Sequence, residues 1–297
     1  MSKTIIRAKT AGFCMGVDLA LRKLDQVLAE NSRHEQICTL GPIIHNPQVL
    51  QDYADQGVIQ VNCAQDLPEG CCVVIRAHGV PLAVKDELHN QGVRIVDATC
   101  PKVKKAQMLI ADQTQNGRFL LLFGEPDHPE VAGLLSYAAS QAQVIEHVDM
   151  VEALDLHSEQ SYFLAAQTTQ DRREFQTVFK RLENRLGKGF PVLDTICDAT
   201  RQRQEEAVAI SRQVDVMLVV GGYTSGNTRR LAKVVQAQGV PSIHIESVRD
   251  LPEGELGRAG RVGITAGAST PRKVIDAVEA KVAGWGDEYL AYLNCEV

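Results

Sequence analysis

The chain has 297 residues, 44% of them hydrophobic and 23% charged, with a formal net charge of −6. That length suits two or three soluble domains and is more than one core ordinarily needs. No lysine or arginine cluster resembles a nucleic-acid footprint or a polybasic membrane patch, so we expect neither nucleic acid nor membrane among its partners.

The N-terminal stretch "MSKTIIRAKTAGFC" lacks the continuous apolar segment of a signal peptide, and no run approaches membrane-spanning length. We therefore expect a cytoplasmic chain whose eight cysteines are reduced. After a strand-like "TIIR" comes Cys14, then an amphipathic helical pattern. A second apolar run, "ICTLG", ends at Gly41 and opens the polar loop "GPIIHNPQVL". Two further strands follow, the last ending in "VVIRAHGVP", and a helix closes the unit. The same order restarts at "VRIVDATCPKVKKAQM" and again at "FPVLDTICDATRQRQEEAV".

The copies agree in spacing as well as in order. Cys14, Cys100 and Cys197 stand 86 and 97 residues apart, a domain-sized period. From each cysteine to the glycine ending the next apolar run (Gly41, Gly124, Gly221) the separations are 27, 24 and 24 residues. Pro47 and Pro129 fall where helices should begin, since a first-turn N–H has no intrahelical acceptor and its absence costs nothing. The expected organisation is three pseudo-equivalent α/β domains, 1–93, 94–190 and 191–285, around an approximate threefold axis, with a tail at 286–297. Ligands of such sheets bind beyond the carboxyl ends of the strands, where all three cysteines and six polar loops lie. Cys38, Cys71 and Cys72 sit inside strand-like runs and read as core residues, and Cys295 as a tail residue without a role.

Three convergent thiolates without a fourth protein ligand suit a 4Fe–4S cluster that leaves one iron open to substrate. Zinc on three sulfurs is the competing reading, because soft thiolates serve both metals. The loops add His45, Asn46, His78, His128, Glu130, Gln167, Thr168, Thr169, Thr224, Ser225, Asn227 and Ser269. Short donors at helix starts favour a small phosphorylated ligand. "GGYTSGNT" lacks the Walker lysine and the G-x-G-x-x-G order, so it reads as an anion nest and not a nucleotide site. Glu130, in "HPEV", is the one loop carboxylate expected to face inward and serve as a general acid.

The stretches "AGFCMGV", "LGPIIHNPQV", "RAHGVP", "DATCP", "HPEV", "QTT", "TICDAT", "TSGNTRRL" and "AGAST" together resemble the 4-hydroxy-3-methylbut-2-enyl diphosphate reductase (IspH/LytB) family, in the family's order across all three units. The resemblance implies a 4Fe–4S cluster on Cys14, Cys100 and Cys197. It implies a diphosphate shell of His45, His78, His128, Ser225, Asn227 and Ser269, with Glu130 as proton donor and Thr168 as its partner at the substrate hydroxyl. The implied reaction is reductive dehydroxylation of an allylic diphosphate, the last step of the non-mevalonate route. Two electrons and protons enter, water leaves, and an allyl anion is protonated to isopentenyl or dimethylallyl diphosphate. With no flavin or NAD fingerprint in the chain, the electrons are expected from a separate ferredoxin or flavodoxin.

Three positions depart from the family pattern. Gly226 stands where a second serine is frequent, which removes a phosphate donor. Asp198 replaces a common aromatic, and "GEPD" replaces a glycine-containing approach to His128.

Overall fold

The computed structural model describes residues 3–31, 35–139, 142–257 and 259–293. Cys295 and the end of the expected tail lie outside them. In chain order the first elements are β1 (Thr4–Arg7), α1 (Met15–Ala29), β2 (Ile37–Leu40), α2 (Pro47–Ala54), β3 (Ile59–Val61), β4 (Cys72–Ile75) and α3 (Leu82–Asn90). Next come β5 (Arg94–Asp97), α4 (Pro101–Gln115), β6 (Phe119–Phe123), α5 (Pro129–Leu135), β7 (Ala142–Ile145), β8 (Tyr162–Ala166) and α6 (Arg172–Leu186). The last are α7 (Asp198–Ser211), β9 (Val216–Val220), α8 (Gly226–Gln236), β10 (Ser242–Ile245), α9 (Glu253–Gly257), β11 (Arg261–Ala266) and α10 (Arg272–Leu293). Pro47 and Pro129 are the first residues of α2 and α5, as their missing N–H groups suggest.

The chain forms two compact units, one of residues 15–44 and 50–197, the other of residues 1–14, 45–49 and 198–297. The first holds two parallel sheets, in the orders β3-β2-β4-β5 and β7-β6-β8. The second holds one, in the order β1-β11-β9-β10, also parallel throughout. The pattern recurs in all three. β2, β6 and β9 take the inner place beside β4, β8 and β11, and the strand leading to a cysteine lies outside the latter. The strand that opens each repeat in the sequence is thus hydrogen-bonded into the sheet of the repeat before it, and β1 closes the last sheet.

The third such strand is reduced to a single bridge, Val192 beside Leu164. Pro191 has no N–H to give a ladder, and only its carbonyl is used, accepting from Leu164 at 3.0 Å. The Thr195 hydroxyl continues the pairing instead, meeting both the N–H of Ala166 (2.8 Å) and its carbonyl (2.6 Å).

Side-chain alternation along the central strands supplies the cores. Leu121, Phe123, Leu164 and Ala166 face α6 (Phe175, Val178, Leu182) in one cluster. Leu120, Leu122, Phe163 and Ala165 face α4 (Ala106, Ile110) and α5 (Val131, Leu134) in another. In the other unit Leu218, Val220, Ile264 and Ala266 meet α10, while Met217 and Val219 meet α7 and α8. Each of the larger side chains, from valine to phenylalanine, contributes about 1.5–3 kcal/mol by leaving water. Covering both faces explains why these strands are continuous apolar runs, fully buried along β6 from Leu120 and along β9.

Gly263 in β11 sets how closely α7 lies on the sheet. A Cβ there would meet the Met217 Sδ and stand 2.9 Å from the Ile210 Cγ2. Gly263→Ala should therefore cost about 1–3 kcal/mol through overpacking. Urea titration would show a lower midpoint; an unchanged midpoint would mean the helix shifts freely.

Candidate functional site

Each cysteine singled out above is the residue immediately before a helix: Cys14 before α1, Cys100 before α4, Cys197 before α7. Each is half-buried. The backbone holds all three in the same way. The amide of Cys100 donates to Ala77 O (2.9 Å), that of Cys197 to Thr168 O (2.9 Å), and that of Cys14 to Ala268 O (3.2 Å). Those carbonyls belong to the loops after β4, β8 and β11, which carry His78, Thr168 and Ser269. One hydrogen bond per repeat thus sets a cysteine beside a polar loop.

The remaining cysteines differ. Cys38, Cys71 and Cys72 are buried inside the β2/β4 sheet. Burial, with the neighbouring Cys71, pushes the Cys38 thiol up to about 12. Burial also raises Cys71 and Cys72. Such thiols are poor metal ligands, because the thiolate is the ligand. Cys63 is exposed and lies 2.7 Å from the Asp66 carboxylate.

Within the unit of residues 15–44 and 50–197, Pro101 starts α4 and Cys100 takes the cap position. Just upstream, Asp97 accepts the Thr99 N–H (2.9 Å) and pairs with Lys104 (2.7 Å). Burial alone would raise this carboxyl, but Lys104 and Thr99 hold it at about 2. Glu130, in the first turn of α5, is 1% exposed. Its Oε1 accepts the Thr168 N–H at 2.6 Å, and its Oε2 lies 3.0 Å from the Thr168 hydroxyl. The Nδ1 of His128 accepts the Glu130 N–H at 3.1 Å, so in the neutral ring the proton sits on Nε2. The His78 ring packs edge-on against it, with centroids 5.2 Å apart. The altered approach to His128 is held by Gln167, whose Oε1 accepts the Glu125 N–H at 3.0 Å.

In the other unit, Ser225 caps α8 through the Thr228 N–H. Its hydroxyl is 3.4 Å from that of Ser269, which donates to His45 O at 3.0 Å. Asn227 Oδ1 accepts the Ala268 N–H (2.9 Å), fixing the loop that also receives Cys14. Gly221, at φ +146°, makes the turn out of β9; a Cβ there would stand 2.9 Å from the Thr228 Oγ1. Gly226 is buried at the start of α8 and offers no side-chain donor. Asp198, at the start of α7, is an exposed first-turn acid within 4.0 Å of Arg201, a charge that complements the helix dipole.

The sequence reading did not single out Arg203 or Glu206. Arg203, 3% exposed, donates to Gly12 O (2.9 Å) and Ala266 O (2.6 Å). Glu206, one turn on, accepts the N–H groups of Lys9 (2.8 Å) and Thr10 (2.9 Å) and the Thr10 hydroxyl (2.6 Å). Together they clamp the segment that ends in Cys14. The available signal was an arginine on α7's buried stripe, four residues before Ala207, where a solvated charge does not belong.

Comparison with known proteins identifies the family. The model of the LytB protein family matches residues 5–283. A 4-hydroxy-3-methylbut-2-enyl diphosphate reductase of Nitratidesulfovibrio vulgaris (strain Miyazaki F) is 57% identical, over 93% of this chain and 97% of the relative. One from Geobacter sulfurreducens is 39% identical, over 94% and 96%. The solved (E)-1-hydroxy-2-methyl-but-2-enyl-4-diphosphate reductase of Plasmodium falciparum superposes with a TM-score of 0.90 at 25% identity, covering 95% of this chain and 88% of that one. A second solved structure, described as the terminal enzyme of the non-mevalonate pathway, is 38% identical with a TM-score of 0.68, covering 94% and 99%. With its family pattern matched over nearly its whole length, the chain belongs to the LytB family of 4-hydroxy-3-methylbut-2-enyl diphosphate reductases.

Proposed function

We infer that this protein is an iron–sulfur oxidoreductase that reduces (E)-4-hydroxy-3-methylbut-2-enyl diphosphate to isopentenyl and dimethylallyl diphosphate, with Cys14, Cys100 and Cys197 holding a 4Fe–4S cluster. The observation that carries the site assignment is the repeated bond from each cysteine amide to a polar loop's carbonyl. The donor set fits the cluster. Three half-buried thiols stand immediately before helices on a fixed backbone, while the buried core thiols are pushed toward their neutral form. When bound, such a cluster supplies electrons and a Lewis-acidic iron that no thiolate occupies.

The chain's own residues bind the substrate and move its proton. Nε2–H of His128 is a donor for diphosphate oxygen, since Nδ1 is engaged by the Glu130 N–H. Ser225 and Ser269 offer a paired hydroxyl site, its spacing fixed by Asn227 and the His45 carbonyl. Glu130 is closed off from water, so its proton leaves through the Thr168 hydroxyl, 3.0 Å from Oε2. That hydroxyl passes a proton to the substrate's leaving oxygen and recovers one from the carboxyl. Two electrons and two protons then balance the loss of one water.

Glu130→Gln keeps the size of the group and removes its acidic proton. Turnover should fall by about 10²–10⁴-fold with cluster absorbance and substrate binding intact. A near-normal rate would make the glutamate a helix-start charge only.

The ligand assignment predicts that Cys14→Ser, Cys100→Ser and Cys197→Ser each lose iron, sulfide and turnover, while Cys63→Ser and Cys38→Ala keep them. Full iron content in any of the first three would break the assignment, and stoichiometric zinc in place of iron would break the chemistry.

Glu206→Ala frees three donors of the Cys14 segment. We expect iron release to a chelator to quicken at least tenfold, with a stability loss of about 1–3 kcal/mol. An unchanged release rate beside that stability loss would leave Glu206 a purely structural residue.

A further inference from the structure

The reaction consumes two electrons, and the chain carries no flavin or dinucleotide motif, so an external carrier must touch its surface. Helices α1 and α4 border a groove of about 510 Å³. Leu19, Pro101 and Leu109 give it an apolar lining, and Lys23, Lys104 and Lys105 a basic one. Met108 lies on it at 71% exposure, a large apolar side chain without cover. Met15, one turn before Leu19 on α1, is 54% exposed and extends the stripe. Isolated exposed apolar residues are ordinary, but a methionine-lined stripe with a mainly basic rim marks an interaction surface.

The lysines are partly set in place. Lys104 pairs with Asp97 (2.7 Å) and the Lys23 ammonium donates to Asp97 O (2.7 Å). Lys105 is exposed and has no carboxylate partner among the described residues. Three lysines stand against Asp112 and the Asp97 that Lys104 pairs with, which leaves a surplus of one positive charge on a chain whose net charge is −6. A basic patch on an acidic molecule selects an acidic partner and steers its approach. Thr99 and Pro101 both line the groove, and Cys100 lies between them. The patch therefore adjoins the chain segment of a proposed cluster ligand. Its small extent suits a transient redox encounter, a class with small interfaces.

We propose that the α1–α4 groove is the docking surface for an acidic one-electron carrier protein, which delivers electrons beside Cys100; this rests on the reductase reading above. Each reduced carrier gives up one electron and leaves oxidised. Two successive dockings supply one turnover, with the protons coming from solvent.

The test compares the holoenzyme with its Lys105→Glu/Met108→Ser variant, using two reductants. With reduced methyl viologen, a small molecule that needs no docking, the two should turn over the allylic diphosphate equally. With a reduced acidic 2Fe–2S ferredoxin, kcat/KM should fall about tenfold or more in the variant, and its decline with added salt should flatten. Ferredoxin-driven rates that match wild type, or that fall only in parallel with the viologen rates, overturn the proposal. If the wild-type holoenzyme fails with viologen, the reductase reading is what fails. Ferredoxin binding then decides the groove: weakened in the variant it stands, unchanged it falls. Sedimentation showing a wild-type dimer that the variant dissociates would assign the groove to a second copy of this chain and also overturn it.

Discussion

The hydrogen bond from a cysteine amide to the loop of the preceding sheet is the constraint on which the proposed site depends. It occurs three times, at Cys14, Cys100 and Cys197, always with the last strand's loop as acceptor. A thiolate ligand needs a fixed backbone, because metal–sulfur distances tolerate little play. A single main-chain bond supplies that without using a side chain. It also fixes the neighbour: His78, Thr168 and Ser269 each lie one residue or less from the accepting carbonyl. Positioning of a thiol and of a loop proposed to bind substrate are thereby the same event.

This coupling explains the sheet topology. Because β5 pairs with β4 and β1 with β11, the strand before a cysteine is locked beside the strand before the polar loop. Both reach their carboxyl ends together, as parallel neighbours must. Where the strand fails, at Val192, the Thr195 hydroxyl preserves the alignment through Ala166. Cys14 has the longest of the three amide bonds, at 3.2 Å, and it is the one whose lead-in segment is clamped by Arg203 and Glu206. Burying an arginine is costly unless its N–H groups are satisfied, and here one carbonyl accepts from each of the two terminal nitrogens.

Much of this was legible in the residues. The β–Cys–α order, complete at Cys14 and Cys100 and reduced to a single bridge before Cys197, follows from local chemistry, as do the glycine-ended second strands and the proline helix starts. The buried state of Cys38, Cys71 and Cys72 follows from their place in unbroken apolar runs. Two things were not legible. Which sheet receives the opening strand of a repeat depends on pairing between distant segments, such as Thr4 with Arg261, and no local pattern encodes it. The clamp of Arg203 and Glu206 escaped because charged residues on an amphipathic helix normally read as solvent-facing; the folded segment 8–14 and the end of β11 give them their partners. The Glu130–Thr168 contact lay between the two. Both residues stood in matched motifs, yet their 38-residue separation is bridged only when β8 lies next to β6.

The central claim is that three thiols hold one cluster and leave one iron for substrate. Mössbauer spectroscopy of anaerobically prepared, iron-57-enriched protein tests it most directly. We predict one iron in four that differs from the others and changes its spectrum when the allylic diphosphate is added. Four irons that all resemble thiolate-ligated sites and ignore the substrate would contradict the account.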